Sequence, residues 1–181
     1  MIRVFDTNLK DLRVIESNIF RDNRGSFRRM HCKTELHSNG LPSNFPQSNI
    51  AINNKKGVLR GLHFQQKPYG EHKLVQCIKG KILDVVVDLR QHSPTFLGSF
   101  QFELDFDSGL ALLVPSGFAH GYLTLSTNAI VTYHVSESYN PEAEKGIRWN
   151  DPILKIDWPI VRPTISPKDA SWPDFDMALA Q

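Results

Sequence analysis

The run Lys73-Leu74-Val75-Gln76-Cys77-Ile78-Lys79-Gly80-Lys81-Ile82-Leu83-Asp84-Val85-Val86-Val87-Asp88 decides the fold. Its apolar and β-branched residues divide at Lys79-Gly80 into two strand-length segments joined by a tight turn. Downstream, Phe100, Phe102, Leu104 and Phe106 alternate with Gln101, Glu103 and Asp105, the period of a strand with one buried face. Further strands are expected over residues 12–16, 26–31, 49–53, 58–64, 110–114, 121–125 and 129–135. Many short strands punctuated by Gly, Pro, Asn and Ser predict an all-β barrel or double-sheet roll. Helical signals are few. A short turn of helix is expected over 33–37, and brief helices are expected to start at Ser166-Pro167 and at Ser171-Trp172-Pro173, where a capping residue lies just before proline. The proline-rich tail from Trp149 is expected to wrap over the barrel. With no repeat and no break in composition, residues 1–181 read as a single domain.

The bulk numbers exclude several classes. A chain of 181 residues with 40% hydrophobic and 22% charged residues is ordinary globular composition. A net charge of +2, with basic residues spread along the chain, gives no footprint for nucleic acid. Cys32 and Cys77 stand in unrelated contexts without metal-ligand spacing and read as reduced thiols. The N-terminal MIRVFDTNLKDLR mixes charges among its apolar residues, and no apolar run approaches membrane-spanning length. A soluble, cytoplasmic protein is expected.

Three features carry chemistry. In Val58-Leu59-Arg60-Gly61-Leu62-His63-Phe64-Gln65, a strand brings His63 beside a glycine, which inside a strand marks close approach by a ligand or another backbone. Pro115-Ser116-Gly117-Phe118-Ala119-His120 is a PxGxxH turn between apolar strands and resembles the second signature of cupin barrels. Metal-binding cupins place a His-x-His pair in the first signature. Here that stretch is His63-Phe64-Gln65, and glutamine is a poor ligand for transition metals, so no metal is expected. In Val131-Thr132-Tyr133-His134-Val135, Tyr133 shares a face with two valines and points inward. Taken singly, His63 reads better as a satisfied core histidine and Tyr133 as a packed phenol.

Together these stretches resemble the dTDP-4-dehydrorhamnose 3,5-epimerase family. The resemblance rests on VLRGLHFQ (58–65), HKLVQCIKG (72–80), DVVVDLR (84–90), SPTF (93–96), VPSGFAHGYLTLS (114–126), YHVSESYNPEAEKGIRWNDPILKIDWP (133–159) and SPKD (166–169), with FRDNRG (20–25) near the start. It covers essentially the whole chain in order. It implies a cupin-type jelly-roll β-barrel with short peripheral helices, a homodimer, and no metal or organic cofactor. The implied substrate is a nucleoside-diphosphate 4-keto-6-deoxyhexose on the route to L-rhamnose, a component of surface polymers such as lipopolysaccharide. Carried over position by position, His63 would be the general base, Asp169 its carboxylate partner, Lys73 the enolate stabiliser and Tyr133 the proton donor. Arg24, Gln47, Asn49, Arg60, His120, Glu144 and Lys168 would hold the nucleotide or sugar, and Tyr139 would stack on the base.

Elementary chemistry supports that assignment. A hydrogen next to a ketone is acidic only if the enolate is stabilised, and a fixed ammonium near the oxygen does this. Neutral imidazole suits the base, a carboxylate behind it fixes the tautomer, and inversion needs a second donor on the opposite face. Two departures touch the nucleotide. After Arg24-Gly25 the family usually carries a glutamate that helps read thymine, where this chain has Ser26-Phe27-Arg28-Arg29, and the run from Asn49 to Val58 is one residue longer than usual. These leave CDP- or GDP-linked sugars as alternatives. Two other classes compete: a metal-dependent cupin enzyme, which Gln65 opposes, and a non-catalytic sugar-nucleotide binder, which would not require an acid and a base.

Overall fold

A computed structural model of the protein describes residues 2–181. In chain order its strands are β1 (Ile2–Asp6), β2 (Arg13–Ser17), β3 (Ile19–Asp22), β4 (Gly25–Arg28), β5 (Gln47–Asn53), β6 (Val58–Gln65) and β7 (Lys73–Lys79). They continue as β8 (Lys81–Asp88), β9 (Ser99–Asp105), β10 (Leu110–Val114), β11 (Phe118–Thr124), β12 (Ala129–Val135), β13 (Glu144–Gly146) and β14 (Thr164–Ile165). Two short α-helices, α1 (Lys33–Ser38) and α2 (Pro167–Ala170), and a 3-10 turn (Met177–Leu179) lie outside the sheets. One sheet runs β1-β2-β10-β7-β12-β5 and the other β13-β6-β11-β8-β9, with β14 added parallel to β6. Strands β3 and β4 form a separate hairpin. The expected all-β, cupin-like jelly roll is what the chain adopts.

The run over 73–88 folds as two strands, but they do not pair with each other. Strand β7 bonds to β10 and β12, whereas β8 bonds to β11 and β9. Gly80, at φ +73°, carries the chain from one sheet to the other, and a Cβ there would collide with Ser126. Val75 and Cys77 of β7 meet Ile82 and Val86 of β8 in the core between the sheets. Val85 and Val87 face the other way, into a second core under the tail with Ile147, Leu154, Trp158 and Phe175. Strand β8 is apolar on both faces because both are covered. The tail does wrap the barrel, and each such buried side chain contributes roughly 1.5–3 kcal/mol. On the far side of the first sheet, Leu74, Ala111 and Leu113 are covered by Leu36 of α1.

Some local expectations give way. Phe106 is exposed rather than buried, because β9 ends at Asp105, whose side chain accepts from the Ser108 N–H and turns the chain. No helix starts at Ser171. The Arg148 N–H bonds to the Pro173 carbonyl and the Phe175 N–H to the Asp151 carboxylate, which pins that segment extended. The Ser166 start holds, with the Ser166 hydroxyl accepting from the Asp169 N–H at the head of α2. Strands β1 and β3 are exposed and without clean alternation, so the sequence pattern does not announce them. Among the described residues no helix is long and apolar enough to cross a membrane.

Candidate active site

The site is built around a fault in β6. Strand β6 pairs with β11 as His63↔His120 and Tyr122↔Arg60, with a register shift between them. In a regular strand, residues three apart point to opposite faces. The irregularity at Gly61 (φ +113°) reverses the parity, so Arg60 and His63 both face the pocket while Leu59 and Leu62 both enter the core under the tail. A Cβ on Gly61 would lie 2.6 Å from the Gly121 Cα and 2.7 Å from the His120 carbonyl oxygen. Of the two close approaches a strand glycine can mark, this one is to backbone.

Facing His63 from α2, Asp169 is buried, and its Oδ1 lies 2.8 Å from His63 Nε2. A carboxylate can only accept, so this contact puts the ring proton on Nε2 and leaves the Nδ1 lone pair free. Burial pushes the Asp169 carboxyl up, but the His63 hydrogen bond, His63 charge and the Gly61 N–H outweigh it and hold the group below the usual carboxylate range. The Trp172 ring packs edge-on to His63 at 6.1 Å and closes the site on that side. Trp172 lies against Gly146, where any Cβ would strike its indole.

Lys73, first residue of β7, is nearly buried, with its Nζ 3.1 Å from Glu71 Oε1. Tyr133 enters from the adjacent strand β12. Burial first, then the negative charges of Glu71 and Glu144, raise its phenol above the ordinary value, with Arg60 opposing. Among the described residues its hydroxyl has no hydrogen-bond partner, so it is a protonated donor open to the pocket. Deeper, His120 Nε2 sits 3.0 Å from the carboxylate of fully buried Asp84. Arg60 donates from Nε to neutral Asn53 and has no carboxylate within ion-pairing distance among the described residues. It is the cation of the pocket left for an anionic ligand.

At the mouth, Glu144 gathers Tyr139 and Lys168, both 2.6 Å from its Oε2. Burial raises the Glu144 carboxyl, and these two bonds more than offset it. The Tyr139 N–H donates to Gln47 Oε1, and Gln47 Nε2 to Asn49 Oδ1. Exposed Tyr139 offers its ring to solvent at the rim. The pocket has two adjoining lobes that share His63, Lys73, Tyr133, Tyr139 and Glu144. Eleven of the twelve expected site residues line it. Arg24 does not. It lies at the tip of the β3–β4 hairpin, paired with Asp22 in a separate hollow.

Sequence reasoning missed Glu71 and Asp84, and read Gln65 only as an absent metal ligand. Asp84 carried a signal, a charge inside an apolar strand. Gln65 spends its amide on backbone groups of residues 69, 138 and 140 and on Glu71. Arg28 bonds to the Cys77 carbonyl and Arg29 to Glu35, so neither turns toward the pocket. Among the described residues no group of three or more His, Cys, Asp or Glu side chains is placed to hold a metal.

Comparison with known proteins places this geometry. A family profile described as dTDP-4-dehydrorhamnose 3,5-epimerase matches residues 6–177. A protein of that name from Methanothermobacter thermautotrophicus is 41% identical over 94% of this chain and 92% of its own length. Its namesake from Escherichia coli is 40% identical over 93% and 91%. A Bacillus anthracis dTDP-4-dehydrorhamnose 3,5-epimerase, solved with TDP and PPi bound, superposes with a TM-score of 0.94 at 40% identity, covering 97% of this chain and all of that one. A Legionella pneumophila dTDP-6-deoxy-D-glucose-3,5-epimerase, solved with dTDP-4-keto-L-rhamnose, gives 0.93 at 35% identity over 99% and 97%.

Proposed function

The chain belongs to the dTDP-4-dehydrorhamnose 3,5-epimerase family, and from that premise we propose how its pocket performs the reaction. The protein is an isomerase that epimerises a dTDP-linked 4-keto-6-deoxyhexose at C3 and C5. His63 takes the proton from carbon through Nδ1, the C–H electron pair moves into the ketone, and the enolate oxygen forms beside the Lys73 ammonium. Asp169 holds the imidazole and favours the imidazolium. Tyr133 delivers its hydroxyl proton to the opposite face of the carbon, which inverts it. Arg60 takes the diphosphate, with His120 and Lys168 on sugar or phosphate oxygens. Tyr139 stacks on the base beside Gln47 and Asn49. The observation that carries this reading is the 2.8 Å His63–Asp169 pair sharing one pocket with Lys73 and an unpartnered Tyr133 hydroxyl.

Arg24 completes the site in a homodimer. Its hairpin exposes Phe20 and Phe27, and the outer face of β5 exposes Ile50 and Ile52, apolar surface that a second copy would cover while bringing its own Arg24 to this pocket. Residues 1–181 act as one catalytic unit, in the cytoplasm, where Cys32 and Cys77 stay reduced. The product supplies deoxysugar for surface polymers such as lipopolysaccharide. Solvent-deuterium incorporation into dTDP-, CDP- and GDP-linked 4-keto-6-deoxyhexoses, compared side by side, tests the reading. Exchange at C3 and C5 is expected with the dTDP sugar, and preference for another base would reassign the substrate.

A further inference from the structure

We propose that Gln65 and Glu71 are positioning residues that couple the nucleobase-facing segment to the Lys73 ammonium, so that seating the nucleotide sets the group that stabilises the enolate. The proposal rests on the functional reading above and concerns two side chains to which that reading gives no role.

Gln65 is the last residue of β6 and is buried at 3% exposure. Its Oε1 accepts from the Asn140 N–H at 2.6 Å. Its Nε2 lies 3.3 Å from the Ser138 carbonyl, 3.1 Å from the Tyr69 carbonyl and 3.2 Å from Glu71 Oε2. Residues 138 and 140 bracket Tyr139, so one amide grips both sides of the residue that presents its ring at the pocket mouth. The other oxygen of Glu71 is the one paired with Lys73 Nζ, and both of those side chains are about nine-tenths buried. An unbroken line of polar contacts therefore runs from the Tyr139 segment through amide and carboxylate to the ammonium.

The arrangement is a poor one for raw electrostatic strength and a good one for placement. A carboxylate beside Lys73 offsets part of the field that an enolate would feel. What it supplies is a fixed direction for a flexible four-carbon stem, with two of three ammonium protons left for the substrate. The Gln65 amide has only two N–H donors and three acceptors in reach. A shift of residues 138–140 changes how those donors are shared, and hence where the Glu71 carboxylate and Lys73 rest. Binding energy from the base, remote from the reacting carbons, is thereby expressed in kcat as well as in KM.

The test compares wild type, Glu71→Gln and Gln65→Met with the dTDP-linked 4-keto-6-deoxyglucose. Both variants should lose about tenfold or more in kcat, with a smaller change in KM, the scale for disturbing a hydrogen bond to a charged group. A second readout needs no turnover: acylation of Lys73 by an amine-directed reagent, followed by mass spectrometry, should speed up severalfold in both variants. Glu71→Gln is nearly isosteric, so it decides the question if Gln65→Met folds poorly. Wild-type labelling of Lys73 in the variants, or a loss confined to KM, would overturn the coupling. Absence of carbon-hydrogen exchange in the wild type would sink the epimerase reading alone, with the labelling still deciding the coupling.

Discussion

His63 and Asp169 stand 106 residues apart in the chain, yet their side chains meet at 2.8 Å, because β14 lies alongside β6 and hands the chain to α2. This contact gives the imidazole its tautomer. Removing the charge while keeping the shape, in Asp169→Asn, should lower kcat by about 10²-fold or more. His63→Ala should abolish exchange at carbon and leave nucleotide affinity nearly unchanged. Stopped-time proton exchange by NMR measures both. Exchange near the wild-type rate in His63→Ala would remove this histidine from the mechanism.

The same carboxyl sets a pH dependence of stability. Its native value is depressed, so its contribution is complete above the unfolded carboxylate value of about 3.9. The contribution is lost as pH falls through the lower native value. Urea unfolding of wild type and Asp169→Asn should therefore show a stability gap that persists down to about pH 4 and closes only under stronger acid. A gap that widens below about pH 4 would contradict the assigned direction.

Gly61→Ala tests the fault in β6. The added methyl meets backbone on two sides at a φ of +113°, so neither neighbour can rotate away. A loss of about 1–3 kcal/mol is expected, read by denaturant unfolding. Activity per folded molecule should fall too, because relaxing the strand restores normal parity and turns Arg60 or His63 out of the pocket. A stable and fully active Gly61→Ala would show that the parity argument is wrong.

Arg24 offers a complementation test. If it serves the partner's pocket, a mixed dimer of Arg24→Ala and His63→Asn chains holds one pocket with both native residues and should regain about half the activity of a wild-type dimer. Mixed dimers no more active than the better parent would place Arg24 in its own chain's site or outside catalysis.

Much of this was readable from residues alone, and the failures have physical causes. The strands at 110–114 and 129–135 were legible to the residue: the first is a short apolar run bounded by Gly109 and Pro115 and buried on both faces, and the second buries Ala129, Val131 and Val135 along one face. The turn at Gly80 was legible, but not that it switches sheets, since pairing partners are set by contacts distant in sequence. Phe106 kept the alternation after its strand had ended, where local turn chemistry at Asp105 prevailed. At the site, eleven side chains converged as the motifs implied. Glu71 went unseen because nothing in its surrounding sequence marks it as buried beside Lys73, and Asp84 because a charge inside an apolar strand does not name its distant partner, His120.

The central claim is that proton removal and proton return belong to different residues on opposite faces of the sugar. The most direct measurement follows Tyr133→Phe in deuterated solvent, recording exchange and configuration at C3 and C5 in one experiment. The phenol is gone, but His63, Asp169 and Lys73 remain able to form the enolate, which the imidazolium then reprotonates from the side it left. The account predicts continued exchange of substrate hydrogen, with inverted product reduced by about 10²-fold or more at one or both carbons. Full inversion at both carbons at the wild-type rate would contradict it, and would reduce Tyr133 to a packed side chain.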